Sequence, residues 1–507
     1  MFVGAGSAQG LFVGTVYDWV PEPGRIVSWQ ASPASLEKAR QAPISDVPLS
    51  AMQEAHLRGF SRYAARGLNY ARLAIGCGDE PGRCDIRAMG YVINSHLRRH
   101  KTYHSWFDYE DAERIVRHTI VDPADIDFVP IRHGEITLSG WHQFVLSTPD
   151  PVEWDCFRFG IIQRADHFTF FSIIDHLHCD PTIISGLYTG IVMNYRVLVT
   201  GGALVQLPPP ASHDDFCMRE KQHVSALTLD SPEVRKWIEF AENNGGTLPD
   251  FPLPLGDLSV ASGGDLMVER LMDQEQTAEF ESLCVEAGAR FSGGLFACVA
   301  LAQYELTGAT TYYGLTPIDK RRSLAEFSTM GWFTGVVPFT VPVNPTSFQE
   351  TARAAQASFD SNLDIANVSF NDVLKLAPWL REWGPYCTMV NYLDTGLPPF
   401  SATVTSHMKD ANVRIYCDPR DPAHLYISVI RLFDEVSMWV NFPNNPIARD
   451  SATRYLSAMK SVLRRVAEGR DAGAAVQVSR SKSHNERSGE ERQAMTEVTD
   501  LACADDN

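Results

Sequence analysis

The chain has 507 residues, 44% of them hydrophobic, and a formal net charge of -18 at pH 7. That length exceeds what one ordinary core encloses and predicts two lobes of roughly 200 residues each. The acidity comes with no clustered run of Lys and Arg, which argues against nucleic acid as a partner because binding a phosphate backbone needs one.

In chain order, Ser50 and Gln53 are spaced as a capping box, which predicts a helix over residues 50–63. Asp85 opens a second helix in which Met89, Ile93 and Leu97 recur at helical spacing. Its basic end, Arg98 to Lys101 in the sequence, suits the negative pole of the helix dipole. Aromatic and β-branched residues over 157–162 and 168–174, with Arg164, Ala165 and Asp166 between them, predict a hairpin. Its second strand runs into Asp175, His176, Leu177, His178, Cys179, Asp180 and Pro181, after which Ile184, Leu187, Ile191 and Tyr195 return to helical spacing. A polar cluster therefore sits where strand gives way to helix.

Gly201, Gly202 and the prolines Pro208, Pro209 and Pro210 interrupt this pattern and mark a crossover. The expected division is an N-terminal lobe over 1–205, a linker over 206–230 and a C-terminal lobe over 231–470. In the second lobe Ser231 and Pro232 predict a capped helix start, residues 297–306 a helix, and 311–315, 336–343, 388–393 and 425–432 strands. Residues 471–507 are rich in Ser, Glu, Arg and Asn and are expected to form a disordered tail, since so little apolar surface cannot offset ordering entropy.

Ten cysteines are scattered without a C-x-x-C pair, a pattern suited to a reducing cytoplasm rather than to a zinc or redox motif. Residues 1–16 lack the basic start and sustained apolar core of a secretion signal. No run approaches the roughly 20 apolar residues of a membrane span, so membrane contact is expected to be peripheral.

Histidine is the side chain suited to act as a base near neutral pH, able to accept a proton from a substrate group. His176 and Asp180 have H-x-x-x-D spacing at the end of an apolar strand, where a tight turn can carry the carboxylate back to fix the loop. Taken alone, the same letters also describe packed histidines at a strand end. They further describe a metal site, since His176, His178, Cys179 and Asp180 all carry ligand atoms. Crowding in the turn and the lack of a further Cys/His cluster argue against the metal. No G-x-S-x-G elbow occurs, which argues against a serine hydrolase.

Other segments follow a family order. Ser50 and Gln53 match an opening S-x-x-Q; Arg99, His100 and Phe107 match R-H-E-x-L-R-T-x-F; His176 and Asp180 fall on H-H-x-x-x-D-G. Tyr313 and Gly314, with Arg321 and Arg322 after them, fall on a Y-G segment; residues 331–338 resemble I-G-x-F-V-N-T-L-P, and 368–373 resemble V-P-F-E-x-L-V. Over residues 49–467 the chain resembles the condensation-domain superfamily. Within it, residues 91–100, 251–257 and 331–335 resemble the mycobacterial polyketide-associated acyltransferases of the trehalose-lipid branch.

The resemblance implies an α/β (α+β) fold of two chloramphenicol-acetyltransferase-like lobes in a V, with the active-site channel between them. It implies an O-acyltransferase that moves a fatty or polyketide acyl group from acyl-CoA or a polyketide synthase acyl carrier to a hydroxyl of trehalose or its sulfated or acylated derivatives, with no cofactor and no metal. His176 would be the general base and Asp180 structural, paired with an arginine for which Arg99 is the matching position; by itself Arg99 reads equally as a helix-end cation. Trp332 and Phe333 are candidates to line an acyl channel, although packing is the default role of such rings. The expected place is the cytoplasm, with peripheral contact at the inner membrane or with a lipid transporter. Three departures stand out: Asp175 replaces the family's first His, Pro181 its Gly, and His104 its second Arg. Two other readings stay open, a stand-alone condensation-type domain with an amine or other alcohol acceptor, and a non-catalytic lipid-binding module.

Overall fold

The computed structural model describes residues 6–8, 11–65, 73–110, 114–135, 137–180, 186–202, 209–258, 263–384, 386–397, 410–418, 420, 425–432 and 435–469. The tail expected over 471–507, and Pro181 and Ile184 after the H-x-x-x-D segment, lie outside the described residues.

Local signals set the helix starts. Ser50 Oγ accepts from Gln53 N while Gln53 Oε1 accepts from Ser50 N, and this reciprocal box opens the helix Ala51–Ala64. Asp85 Oδ1 accepts from Arg87 N and Ala88 N at the head of the helix Ile86–Arg99. Ser231 behaves otherwise than expected: it precedes the helix Pro232–Asn243, but its hydroxyl accepts from Thr228 N in the preceding turn instead of capping the helix. Pro232 has already removed one of the N–H groups that a cap would satisfy.

The predicted hairpin forms as the strands Phe157–Gln163 and His167–Asp175. It lies inside an eight-stranded sheet with the spatial order Gly6–Ala8, Leu11–Thr15, Val413–Cys417, Leu73–Pro81, His167–Asp175, Phe157–Gln163, Arg25–Ala31 and Phe128–Glu135. Phe168, Phe170 and Ile174 pack on one face with Met89, Ile93 and Leu97, while Phe171 and Ile173 pack on the other with Trp19 and Trp141. A strand covered on both faces reads as a continuous apolar run, which is the pattern of 168–174. Gly160 is required beside it, because a Cβ there would lie 2.2 Å from the Phe171 ring.

The second half builds a separate core. Its four-stranded sheet, ordered Gly264–Met272, Glu435–Pro443, Tyr426–Leu432 and Met389–Asp394, packs with the helices Phe291–Thr307 and Pro446–Ala467. Thr311–Asp319 and Thr334–Pro342 pair with each other as an antiparallel ribbon.

One strand crosses this division. Val413–Cys417 falls in the stretch assigned to the C-terminal lobe, yet it pairs parallel with Leu11–Thr15 and antiparallel with Leu73–Pro81 in the first sheet. Asp79 holds it there: Oδ1 accepts from Arg414 Nη2 at 2.6 Å and from Thr169 Oγ1 at 2.6 Å, and Oδ2 accepts from Asn412 Nδ2 at 2.9 Å. The backbone ladder of the first sheet is thus completed by the second half of the chain. No single helix among the described residues is long and apolar enough to cross a membrane.

Candidate active site

The strand His167–Asp175 ends in a single 3-10 turn, His176–His178. Asp175 caps that turn, its Oδ1 accepting from Leu177 N at 2.9 Å, and Gln53 Nε2 donates to Leu177 O at 3.1 Å. The two histidines of the turn then part ways. His178 turns inward, where Nδ1 lies 3.1 Å from Thr102 Oγ1 and Nε2 lies 3.2 Å from Cys156 Sγ. Burial lowers its pKa to about 4, so it is a neutral packing group at physiological pH.

His176 remains half-buried and lines a cavity of about 650 Å³. Ile75 and Gly76 of the first sheet form one wall of that cavity, and Asn391, Ser428 and Trp439 of the four-stranded sheet form the opposite one. The indole of Trp332 also lines it, with its ring centroid 4.2 Å from that of His176.

Asp180 is held from the second half. Its Oδ2 accepts from Arg321 Nη1 at 2.7 Å and from Phe333 N at 3.0 Å, with both side chains of the ion pair at most 2% exposed. The guanidinium spends its other hydrogens on Asp319 and on the carbonyls of Glu326, Thr329 and Gly331. This corrects the expected pairing with Arg99. Arg99 ends the helix Ile86–Arg99, where burial lowers its pKa, and the arginine that meets Asp180 is Arg321, 141 positions along the chain. The Y-G segment with its trailing Arg321 was the available signal, but it carried no indication of partner.

Phe333 is the second correction. It is fully buried against Phe216 and Cys217, with the Arg321 guanidinium 4.3 Å from its ring centroid, and it takes no part in the cavity lining. Of the two adjacent rings, Trp332 lines the cavity and Phe333 packs with Phe216 and Cys217. Gly331 makes the approach feasible, with φ of 146° and a Cβ position that would lie 2.4 Å from His213 Cδ2.

His104, in place of the family's second arginine, is buried with Nε2 3.2 Å from Arg98 O. Nearby, Arg117 donates Nε to Ser105 Oγ at 2.9 Å and pairs with Asp214. His56 had no signal in the sequence at all. Its Nε2 lies 2.8 Å from Asp175 Oδ1, 119 positions away, with both side chains fully buried. Among the described residues no group of three His, Cys, Asp or Glu side chains is placed to hold a metal.

The buried imidazoles predict acid lability. Burial lowers the pKa of His96 to about 3 and of His178 and His213 to about 4. Unfolded histidine titrates near ~6.5, so below that pH the unfolded state binds the more protons and stability falls. The expected loss is about 1.4 kcal/mol per pH unit for each such histidine down to its folded value. Thermal unfolding should show Tm dropping steadily from pH 6.5 to 5; a flat Tm over that range would mean these rings accept protons without unfolding.

No family model matches the chain. Over 458 residues it is 51% identical to acyltransferase PapA3 of Mycobacterium tuberculosis, covering 90% of this chain and 97% of that one. Over 454 residues it is 52% identical to the 2'-acyl-2-O-sulfo-trehalose (hydroxy)phthioceranyltransferase PapA1 of Mycobacterium bovis, covering 90% and 88%. The solved structure of a PapA2 acyl transferase superposes with a TM-score of 0.87 at 50% identity, covering 90% of this chain and all of that one. The condensation domain of the Monacolin K polyketide synthase MokA shares the fold, with a TM-score of 0.63 at 13% identity over 84% of this chain and 99% of that domain.

The chain has the fold of condensation domains, with an H-x-x-x-D turn opening on a cavity between its halves, and its identity of 50–52% to named acyltransferases over 90% of its length makes it an O-acyltransferase. Within that class, the chain belongs to the mycobacterial PapA acyltransferases.

Proposed function

We propose that the chain moves a long-chain fatty or polyketide acyl group from a thioester to a hydroxyl of trehalose, or of a sulfated or partly acylated trehalose, in cell-envelope glycolipid synthesis. The observation that carries this reading is the imidazole of His176 on the wall of the cavity between the two halves. A volume of about 650 Å³ lies within the roughly 300–1,000 Å³ of small-molecule sites. The acceptor is supported by relatives, PapA1 with its printed sulfo-trehalose acceptor and PapA2 named as a trehalose-2-sulfate acyltransferase. The lining also suits a sugar beside a lipid: it is largely apolar, and Asp319, Asp394 and Asp418 offer oxygens to hydroxyls while Arg321, Arg431 and Arg420 pair with them.

In this mechanism the acceptor oxygen attacks the thioester carbonyl as His176 takes its proton. The tetrahedral intermediate expels the thiolate, and the imidazolium returns the proton to sulfur, leaving an ester and a free thiol. Asp180 holds the turn through Arg321 and Phe333 N, and its role is structural. The lobes 1–205 and 231–470, joined over 206–230, meet at this channel. The donor is acyl-CoA or a polyketide synthase acyl carrier, no cofactor takes part, and the enzyme works in the cytoplasm, with peripheral contact at the inner membrane or with a lipid transporter.

The test is to incubate the pure protein with long-chain acyl-CoA and trehalose, trehalose-2-sulfate or their monoacyl forms, reading products by mass spectrometry. An acylated trehalose with release of one CoA is expected. Transfer only to amines would favour the condensation-type reading, and lipid binding without turnover would favour the binding module.

A further inference from the structure

The pair beneath the catalytic turn does more than the mechanism has used. We infer that His56 and Asp175 are positioning residues for His176, with His56 holding the Asp175 carboxylate at the head of the turn that carries the imidazole taking the acceptor's proton. This rests on His176 being the base.

Three observations carry it. Asp175 immediately precedes His176, and its Oδ1 is held by His56 Nε2 at 2.8 Å and by Leu177 N at 2.9 Å, so one carboxylate oxygen organises the turn. Its Oδ2 is buried, and among the described residues no donor reaches it. A sealed carboxylate oxygen without a donor is costly and calls for an explanation, and its negative potential is unscreened by water. Trp332 joins the pair to the base, its ring centroid 5.8 Å from that of His56 and 4.2 Å from that of His176.

The surroundings leave that charge standing. Burial pushes the Asp175 carboxyl up, but His56 and Leu177 N outweigh it and hold it below the ordinary range. The other titratable groups that face it are His178, kept neutral by burial, the Cys156 and Cys179 thiols, kept protonated by burial, and Asp150, which carries no positive charge. His56 holds this carboxylate through Nε2, and the carboxylate itself stands on the residue next to the base. An imidazolium formed on the next residue is stabilised by it, which makes His176 a stronger base in the step that takes the hydroxyl proton.

The experiment compares pH profiles of kcat/KM for the wild type, Asp175→Asn, His56→Ala and His56→Gln, with Tm measured in parallel. The asparagine oxygen can still accept from Leu177 N, so Asp175→Asn removes charge while keeping the cap. Its acid limb should move down by about one pH unit, since the imidazolium loses its counter-charge, and its plateau kcat should fall on the order of tenfold. His56→Ala strips Asp175 of its side-chain donor and favours the protonated acid, so the same shift is expected. His56→Gln restores an N–H donor and should return the limb toward the wild-type position. A folded Asp175→Asn protein with an unmoved limb and plateau overturns the proposal, and so does failure of both Asp175→Asn and His56→Ala to fold, which would leave the pair a fold element alone. Run beside them, His176→Ala separates the two ideas: turnover in that variant removes the base itself, whereas an inactive variant beside an Asp175→Asn protein of wild-type profile removes only the pair.

Discussion

His176→Ala is expected to lower kcat for acyl transfer by roughly 100- to 10,000-fold with little change in Tm, the range a positioned general base contributes. The fold should survive because hydrogen bonds from other groups hold the turn. Its bonds come from the Asp175 carboxylate on Leu177 N, from Gln53 on Leu177 O and from Cys179 N to His176 O. The ring stands at a cavity wall, so its removal enlarges an existing space instead of leaving a sealed void. Steady-state thiol release from acyl-CoA, together with thermal unfolding of the same preparation, provides the check. Turnover at the wild-type rate would remove the assignment.

Asp180→Ala should act through stability first. Arg321 is 1% exposed, and deleting its partner leaves a buried cation with only Asp319 and carbonyls, a loss of about 3–5 kcal/mol for a broken buried pair. Phe333 N loses its acceptor as well, so the strand Thr334–Pro342 and the turn at His176 lose a shared anchor. The expected result is a Tm lower by several degrees and reduced soluble yield along with reduced activity. Arg321→Ala should behave alike, and the double variant should lose less than the sum of the two singles because both remove one pair. Arg99→Ala leaves that pair untouched and is expected to be milder. An Asp180→Ala protein with the wild-type Tm and no activity would instead place the carboxylate in contact with substrate.

The comparison of Asp180 with its two arginines shows where sequence reasoning stops. The H-x-x-x-D spacing located the turn, because the turn is local and its letters are adjacent. Which guanidinium reached the carboxylate depended on how the ribbon Thr311–Asp319 and Thr334–Pro342 is laid against the first half, and no local spacing reports that. Trp332 and Phe333 show the same limit: two adjacent aromatic residues were equal candidates until the path of the chain sent one into the cavity and the other into the packing around Arg321.

By itself the sequence determined the elements whose causes lie within a few residues. These are the reciprocal box at Ser50, the Asp85 cap, the hairpin written in aromatic and β-branched residues, and the strand end that carries His176. Only the tertiary structure decided what joins distant stretches: Val413–Cys417 entering the first sheet, Arg321 closing on Asp180, and His56 beneath Asp175. Short-range hydrogen bonds and side-chain periodicity leave a pattern in neighbouring letters, whereas a contact across more than a hundred residues is set by how whole layers pack, and a single buried partner leaves no pattern to read.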